Sequence, residues 1–285
     1  MKQFKIGGVP EHFNLPWRMA IEDANFQRNG IEFHWADMSG GTGQMIKGLQ
    51  SGSIDIAVLL TEGISKAILQ GLDSRILAVY VSSPLSWGVH VPFSSTINSM
   101  NDLENKSFAI SRENSGSHLM ALVNAHQNKW DLTKLKFQVV GDLYGGLWSL
   151  NQNESQGFLW EKFTTQPFVD QKKCRRIDEI KTPWPCFVIA VNKNIALKYS
   201  DTLRLMCDIV QQKATDLKQN KEAASIISWR YSLAIGQAEK WLSETTWSKN
   251  NQIDHNDFGL VVQYLKQMNM VTEQEADNWK QKLFL

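Results

Sequence analysis

At 285 residues, 42% of them hydrophobic, the chain is long enough to bury two cores rather than one. Thirty Lys and Arg stand against 29 Asp and Glu with no block of like charge, which excludes a nucleic-acid track and a polybasic membrane patch. No window approaches the roughly 20 apolar residues of a membrane span, and Cys174, Cys186 and Cys207, odd in number and widely spaced, exclude a disulfide framework and a recognisable zinc site.

The start, Met1-Lys2-Gln3-Phe4-Lys5-Ile6-Gly7-Gly8-Val9, passes directly into a strand-like run without the apolar stretch and small-residue cleavage site of an export signal, which points to the cytoplasm. Strands are predicted at 4–9, 31–35, 54–60 and 75–81. Between them, a helix at 17–26 follows Pro16 and stops before Asn29-Gly30, and a helix at 42–49 sets Met45, Ile46 and Leu49 on one face. Strand and helix in this alternation imply a parallel sheet with crossover helices. A second unit of the same kind begins after Pro92, with strands at 107–110, 137–140 and 157–159 and helices at 117–127 and 143–150. An apolar strand at 186–191 follows the Pro183-Trp184-Pro185 breaker, and beyond Asn194 only helices are predicted, near 202–217, 222–232, 258–268 and 273–283. This helical tail lacks a core of its own and is expected to complete the first lobe. The fold class is therefore α/β, in two lobes that are each a mostly parallel sheet flanked by helices. Residues 1–84 plus 186–285 form lobe I and 85–185 form lobe II, joined by a two-segment hinge at 82–88 and 181–186 with a ligand cleft between the lobes.

In open parallel sheets ligands bind at the carboxyl ends of strands, and four loops there are unusual. The first, 8–17, offers Gly8, Glu11, His12, Asn14 and Trp17, with loop packing as the alternative role for His12 and Trp17. The second, Ser39-Gly40-Gly41-Thr42-Gly43, can turn backbone N–H groups toward an oxyanion at a helix start, with Thr42 as cap. It lacks the Lys-Ser/Thr of a P-loop, so nucleotide binding is not supported, and a plain helix start is the alternative. The third offers Arg112, Ser115, Gly116, Ser117 and His118 and reads as the second-lobe counterpart of 40–43. Two such helix starts facing each other would hold a carboxylate, sulfonate or phosphate-like group. The fourth pairs Thr61 and Glu62 with Trp160 and Glu161, acidic groups that could accept from a ligand amine or ring N–H or else pair with Lys162 or Arg112. Trp17, Trp87, Trp160 and Trp184 are candidate aromatic walls for a flat ligand.

These blocks resemble the type II periplasmic-binding-protein superfamily, in the branch of sulfonate, nitrate, taurine and thiamine-pyrimidine-precursor binding proteins. The helix-then-strand run Met45-Ile46-Lys47-Gly48-Leu49-Gln50-Ser51-Gly52-Ser53-Ile54-Asp55-Ile56-Ala57 and the lobe-two start Asn101-Asp102-Leu103-Glu104-Asn105-Lys106 carry the likeness. More narrowly, residues 7–17, 40–43, 60–63, 160–165 and 182–186 resemble a leaderless subgroup of bacteria and fungi. The resemblance implies a ligand between the lobes, touching the loops at Gly8, Thr42, Thr61, Ser115 and Trp160. The expected function is reversible binding of a small anionic organic molecule, as in the solute-binding component of an ABC importer or a thiamine-precursor-type protein. The expectation includes no cofactor, no metal, no catalytic residue, no nucleic acid and no membrane insertion. An ABC permease enters as a partner only if an exported form exists. The alternative is a cytoplasmic enzyme on the same fold, of the pyrimidine or menaquinone precursor synthesis type, with Glu11, His12 or Glu161 as acid or base.

Overall fold

Alternation of β-branched runs with amphipathic helices builds two sheets, each of five strands, in the computed structural model. It describes residues 3–250 and 253–285, so the first two residues of the start run lie outside it. The chain divides into two units, one of the residues up to Ser83 with those from Trp184 onward, the other Pro84–Pro183.

The first lobe opens with β1 (Gln3–Gly8), α1 (Leu15–Glu22), α2 (Asn25–Arg28), β2 (Glu32–Asp37), α3 (Gly41–Ser51), β3 (Ile56–Leu60), α4 (Thr61–Leu69) and β4 (Ser74–Val81). The second lobe contains β5 (Ser86–Val91), β6 (Ser107–Ile110), α5 (Gly116–Gln127), β7 (Lys136–Val139), α6 (Leu143–Asn151), β8 (Gly157–Glu161), α7 (Lys162–Asp170) and β9 (Arg175–Lys181). The chain then returns to the first lobe through β10 (Phe187–Asn192) and the helices α8 (Lys193–Lys198), α9 (Ser200–Gln219), α10 (Ala223–Tyr231), α11 (Ile235–Glu244), α12 (His255–Gln267), α13 (Glu273–Ala276) and α14 (Trp279–Leu283).

The strand orders are β2-β1-β3-β10-β4 and β7-β6-β8-β5-β9. In each sheet four strands run one way and the strand in fourth place runs the other, because β10 pairs antiparallel with β3 and β4, and β5 with β8 and β9. Each reversed strand is the first that the chain lays down after crossing between units. Buried on both faces, β10 reads as the continuous apolar run Phe-Val-Ile-Ala-Val. In the tail, α9 packs against α1, and both α12 and α14 pack against α4.

Two strands escape the sequence reading. All six residues of β5 are buried, so it shows no alternation, and its Gly88 and His90 break the apolar run. By contrast β9, Arg-Arg-Ile-Asp-Glu-Ile-Lys, is a charged edge strand without an apolar face. The helix predicted at 17–26 is interrupted at Ala24, which adopts a left-handed conformation with φ 54°, and the one at 273–283 is interrupted in the same way at Asn278. The connections between units are tied within each unit: the Cys186 N–H donates to the Ser83 carbonyl at 3.2 Å, and the Thr182 N–H to the Leu85 carbonyl at 3.1 Å.

Candidate functional site

In the first lobe β1 and β3 lie side by side with Gly8 opposite Val58, which brings their carboxyl ends together. A side chain at Gly8 would meet the Trp35 indole at 2.4 Å, so that ring covers the strand end. The Asn14 amide closes the following loop by donating to the Val9 carbonyl at 2.8 Å. At the start of α3, Gly40 rather than Thr42 occupies the capping position, and Gly41 takes φ +65°. Thr42, followed by Gly43 in the same turn, packs its methyl against Gly63 and accepts a long hydrogen bond from the Leu60 N–H at 3.4 Å. This fastens α3 to the β3–α4 junction and so gathers Thr42, Thr61 and Glu62.

Thr61 is spent on the returning chain: its N–H donates to the Cys186 carbonyl at 3.1 Å and its hydroxyl to the Pro185 carbonyl at 2.5 Å. Glu62, the second residue of α4, is buried. Its Oε2 accepts from the Trp184 indole N–H at 3.0 Å, while no partner meets hydrogen-bond geometry at Oε1 among the described residues. Burial pushes its pKa up to about 7, opposed by its own backbone N–H and by the Trp184 indole. Glu11 is half-buried. His12 is buried in an aromatic cage, its ring centroid 4.4 Å from Trp241, 4.9 Å from Phe13 and 5.9 Å from Tyr231, and burial lowers its pKa to about 3. Trp17 is fully buried among Phe26, Trp35 and Tyr80, where it fills the core.

In the second lobe the loop after β6 is built around three serines. Ser115 caps α5 by accepting from the His118 N–H, its hydroxyl lies 3.0 Å from that of Ser117, and the Ser117 Oγ accepts from the Ser111 N–H at 2.9 Å. Gly116 begins the helix. His118 accepts from the Asn114 N–H at 2.9 Å and sets its ring edge-on to Phe137. Arg112 is half-buried, burial lowers its pKa, and its guanidinium has no hydrogen-bond or ion-pair partner among the described residues. Trp160 packs on Phe158 at 5.4 Å. Glu161, itself buried with its pKa raised by desolvation, is the cap of α7: Oε2 accepts from the Thr164 N–H at 2.6 Å and the Thr164 hydroxyl at 2.8 Å.

Two sequence expectations are corrected by this topology. With β5 and β10 in place, β6 corresponds to β1, β7 to β2 and β8 to β3. The Arg112 loop is therefore the counterpart of the Gly8 loop. The counterpart of 40–43 is Gly141-Asp142, where Asp142 caps α6 by accepting from the Gly145 N–H at 2.9 Å. Likewise Glu62 and Glu161 are not equivalent, since one is the second residue of its helix and the other the cap preceding its helix. That two-residue difference leaves Glu161 occupied and Glu62 with a free oxygen. Among the described residues no group of three His, Cys, Asp or Glu is arranged to hold a metal, and no helix is long and apolar enough to cross a membrane.

A search of curated proteins found no match. A family model described as Ca3427-like periplasmic binding protein matches residues 87–180, within the second lobe. The solved structure of the Candida albicans CA3427 gene product, described as defining a family with the generic periplasmic-binding-protein fold, superposes with TM-score 0.91 at 24% identity over 100% of this chain and 96% of that one. The chain has the type II periplasmic-binding-protein fold. Other structures with this fold include the alkanesulfonate-binding protein SsuA of Xanthomonas axonopodis pv. citri bound to MOPS, at TM-score 0.81 and 12% identity over 95% of each chain. PhnD1 of Prochlorococcus marinus in complex with methylphosphonate superposes at 0.65 and 11% identity, over 95% of this chain and 99% of that one. In this chain the fold's strand ends also carry two features absent from the sequence reading: the Trp184 bond to Glu62, and the exposed Tyr144 and Trp148 one turn apart on α6. In sequence Trp184 stands out as a Trp between two prolines and as a candidate aromatic wall, and neither points to Glu62.

Proposed function

We propose that this protein reversibly binds a small organic molecule bearing an oxyanion, held by strand-end loops of the two lobes as they close on it. The supporting observation is Arg112. A half-buried guanidinium with no partner among the described residues is costly to hold, and it is the second residue beyond β6, three residues before the Ser115 cap of α5. A carboxylate, sulfonate or phosphonate would supply the missing charge and receive the bidentate donors of the guanidinium. The sulfonate- and phosphonate-bound relatives with this fold carry ligands of that chemistry. The MOPS bound to one of them also carries a nitrogen.

Thermal unfolding against a panel of alkanesulfonates, alkylphosphonates and carboxylates tests the reading, with mass spectrometry of whatever is recovered. Saturable stabilisation with the molecule recovered intact supports a binding protein. Recovery as a new compound moves the enzyme alternative forward, and no stabilisation by any member removes the oxyanion reading.

A further inference from the structure

We propose that Glu62 is the residue that receives an N–H of the ligand, so that the bound molecule combines its oxyanion with a nitrogen donor. This rests on the binding reading above and adds to it the second half of the ligand's chemistry.

The threonine hydroxyls grouped with Glu62 already have partners. In the first-lobe cluster, Thr61 gives its hydroxyl to the Pro185 carbonyl, and the Thr42 hydroxyl receives the Leu60 N–H. In the second lobe, Glu161 is engaged by both donors of Thr164. Glu62 differs. It is 2% exposed, one oxygen is fixed by the Trp184 indole, and the other has no partner meeting hydrogen-bond geometry among the described residues. A buried acceptor left unmet costs about 1–3 kcal/mol, a cost recovered when a donor arrives. A cationic amine or protonated ring nitrogen suits the position best, because a bond between ionised partners is roughly twice as strong as a neutral one. As a carboxyl with a pKa of about 7, Glu62 can lose its proton to solvent when such a cation docks. The Trp184 N–H then donates to a carboxylate rather than to a neutral acid, so the indole reports occupancy.

The test uses matched probes that differ only in the nitrogen: 2-aminoethanesulfonate against ethanesulfonate, and 2-aminoethylphosphonate against ethylphosphonate. Each is titrated into the full chain and into Glu62→Gln, which keeps an oxygen acceptor for Trp184. Binding is followed by the indole N–H signals in NMR, with Trp184→Phe identifying the Trp184 peak. The expected result is a preference of about tenfold or more for the amino member of each pair in the wild type, the scale of one charge-assisted hydrogen bond. Glu62→Gln should lose that preference while keeping its affinity for the amine-free probes. The Trp184 signal should move with the amino probes in the wild type alone. Equal affinity within each pair, or a preference that survives in Glu62→Gln, overturns the assignment and leaves the oxyanion reading standing. Failure of all four probes to bind either protein overturns the assignment, and the oxyanion reading falls with it if the carboxylates of the wider panel fail as well.

Discussion

Replacing Glu62 by Gln should change how stability depends on pH, in a direction fixed by burial. In the folded chain its pKa rises from an ordinary 4.5 to about 7. Between those values the folded state holds a proton that the unfolded state has released, so stability is full below pH 4.5 and is lost as pH rises through about 7. At about 1.4 kcal/mol per pH unit, the loss over the whole window is about 3 kcal/mol, most of it between pH 5 and 8. Glutamine keeps the shape and an acceptor for Trp184 but cannot ionise. Urea unfolding of both proteins at pH 5, 6, 7 and 8 should therefore give two curves that converge or cross, the wild type falling relative to the variant as pH rises. His12 and His90, whose burial lowers their pKa values to about 3 and about 4, slope the opposite way in both proteins and cancel in the difference. Parallel curves would show that Glu62 is not desolvated as described and would refute the reasoning.

Four further outcomes are expected. Arg112→Gln should weaken binding of oxyanion probes about tenfold or more while leaving the unfolding midpoint unchanged or slightly raised, since no partner is lost; a titration alongside a melting curve checks both. Glu161→Gln should destabilise the second lobe by about 1 kcal/mol through the weakened α7 cap, visible as faster amide exchange at Thr164, with no effect on any preference for amines. Gly146→Ala should cost about 1–3 kcal/mol in denaturant unfolding, because the added carbon would lie 2.4–2.6 Å from three atoms of the Phe158 ring. His12→Leu should shrink the loss of stability on acidification: the unfolded chain takes up a proton below pH 6.5 while the caged imidazole stays neutral down to about 3, so the wild type weakens as pH falls through that range and the variant weakens less.

Among the described residues, the alternation of apolar runs with helices picks out eight of the ten strands and the helices α1, α3, α5 and α6, because those segments follow a simple period in sequence. The two strands it misses have physical reasons to be silent. With both faces covered, β5 has no period, and β9 lies at a sheet edge where charge is tolerated. The pairing of 40–43 with 112–118 rested on the likeness of two glycine-containing helix starts, which says nothing of strand order, and strand order makes 112–118 the counterpart of the loop after β1 instead. In the candidate site, the choice of loops follows from a general rule of open sheets, so Glu62 and Arg112 were both within reach. The difference between Glu62 and Glu161 was not, because it depends on whether a carboxylate stands just before or just inside a helix. Trp17 illustrates the same limit: a Trp beside a proline in a strand-end loop looks like a ligand wall, yet three aromatic neighbours enclose it.

The reversed strand of the first sheet also dictates when that sheet can exist. During synthesis β1 to β4 emerge first, but β4 joins the sheet only through β10, which holds it beside β3. Until residues 187–192 have left the ribosome, β3 presents one unpaired edge and β4 has no strand partner, while residues 84–183 already contain all five strands of their own sheet. The lobe whose chain begins first is thus the one completed last, and its exposed edges are where a truncated or stalled chain would be most prone to aggregate.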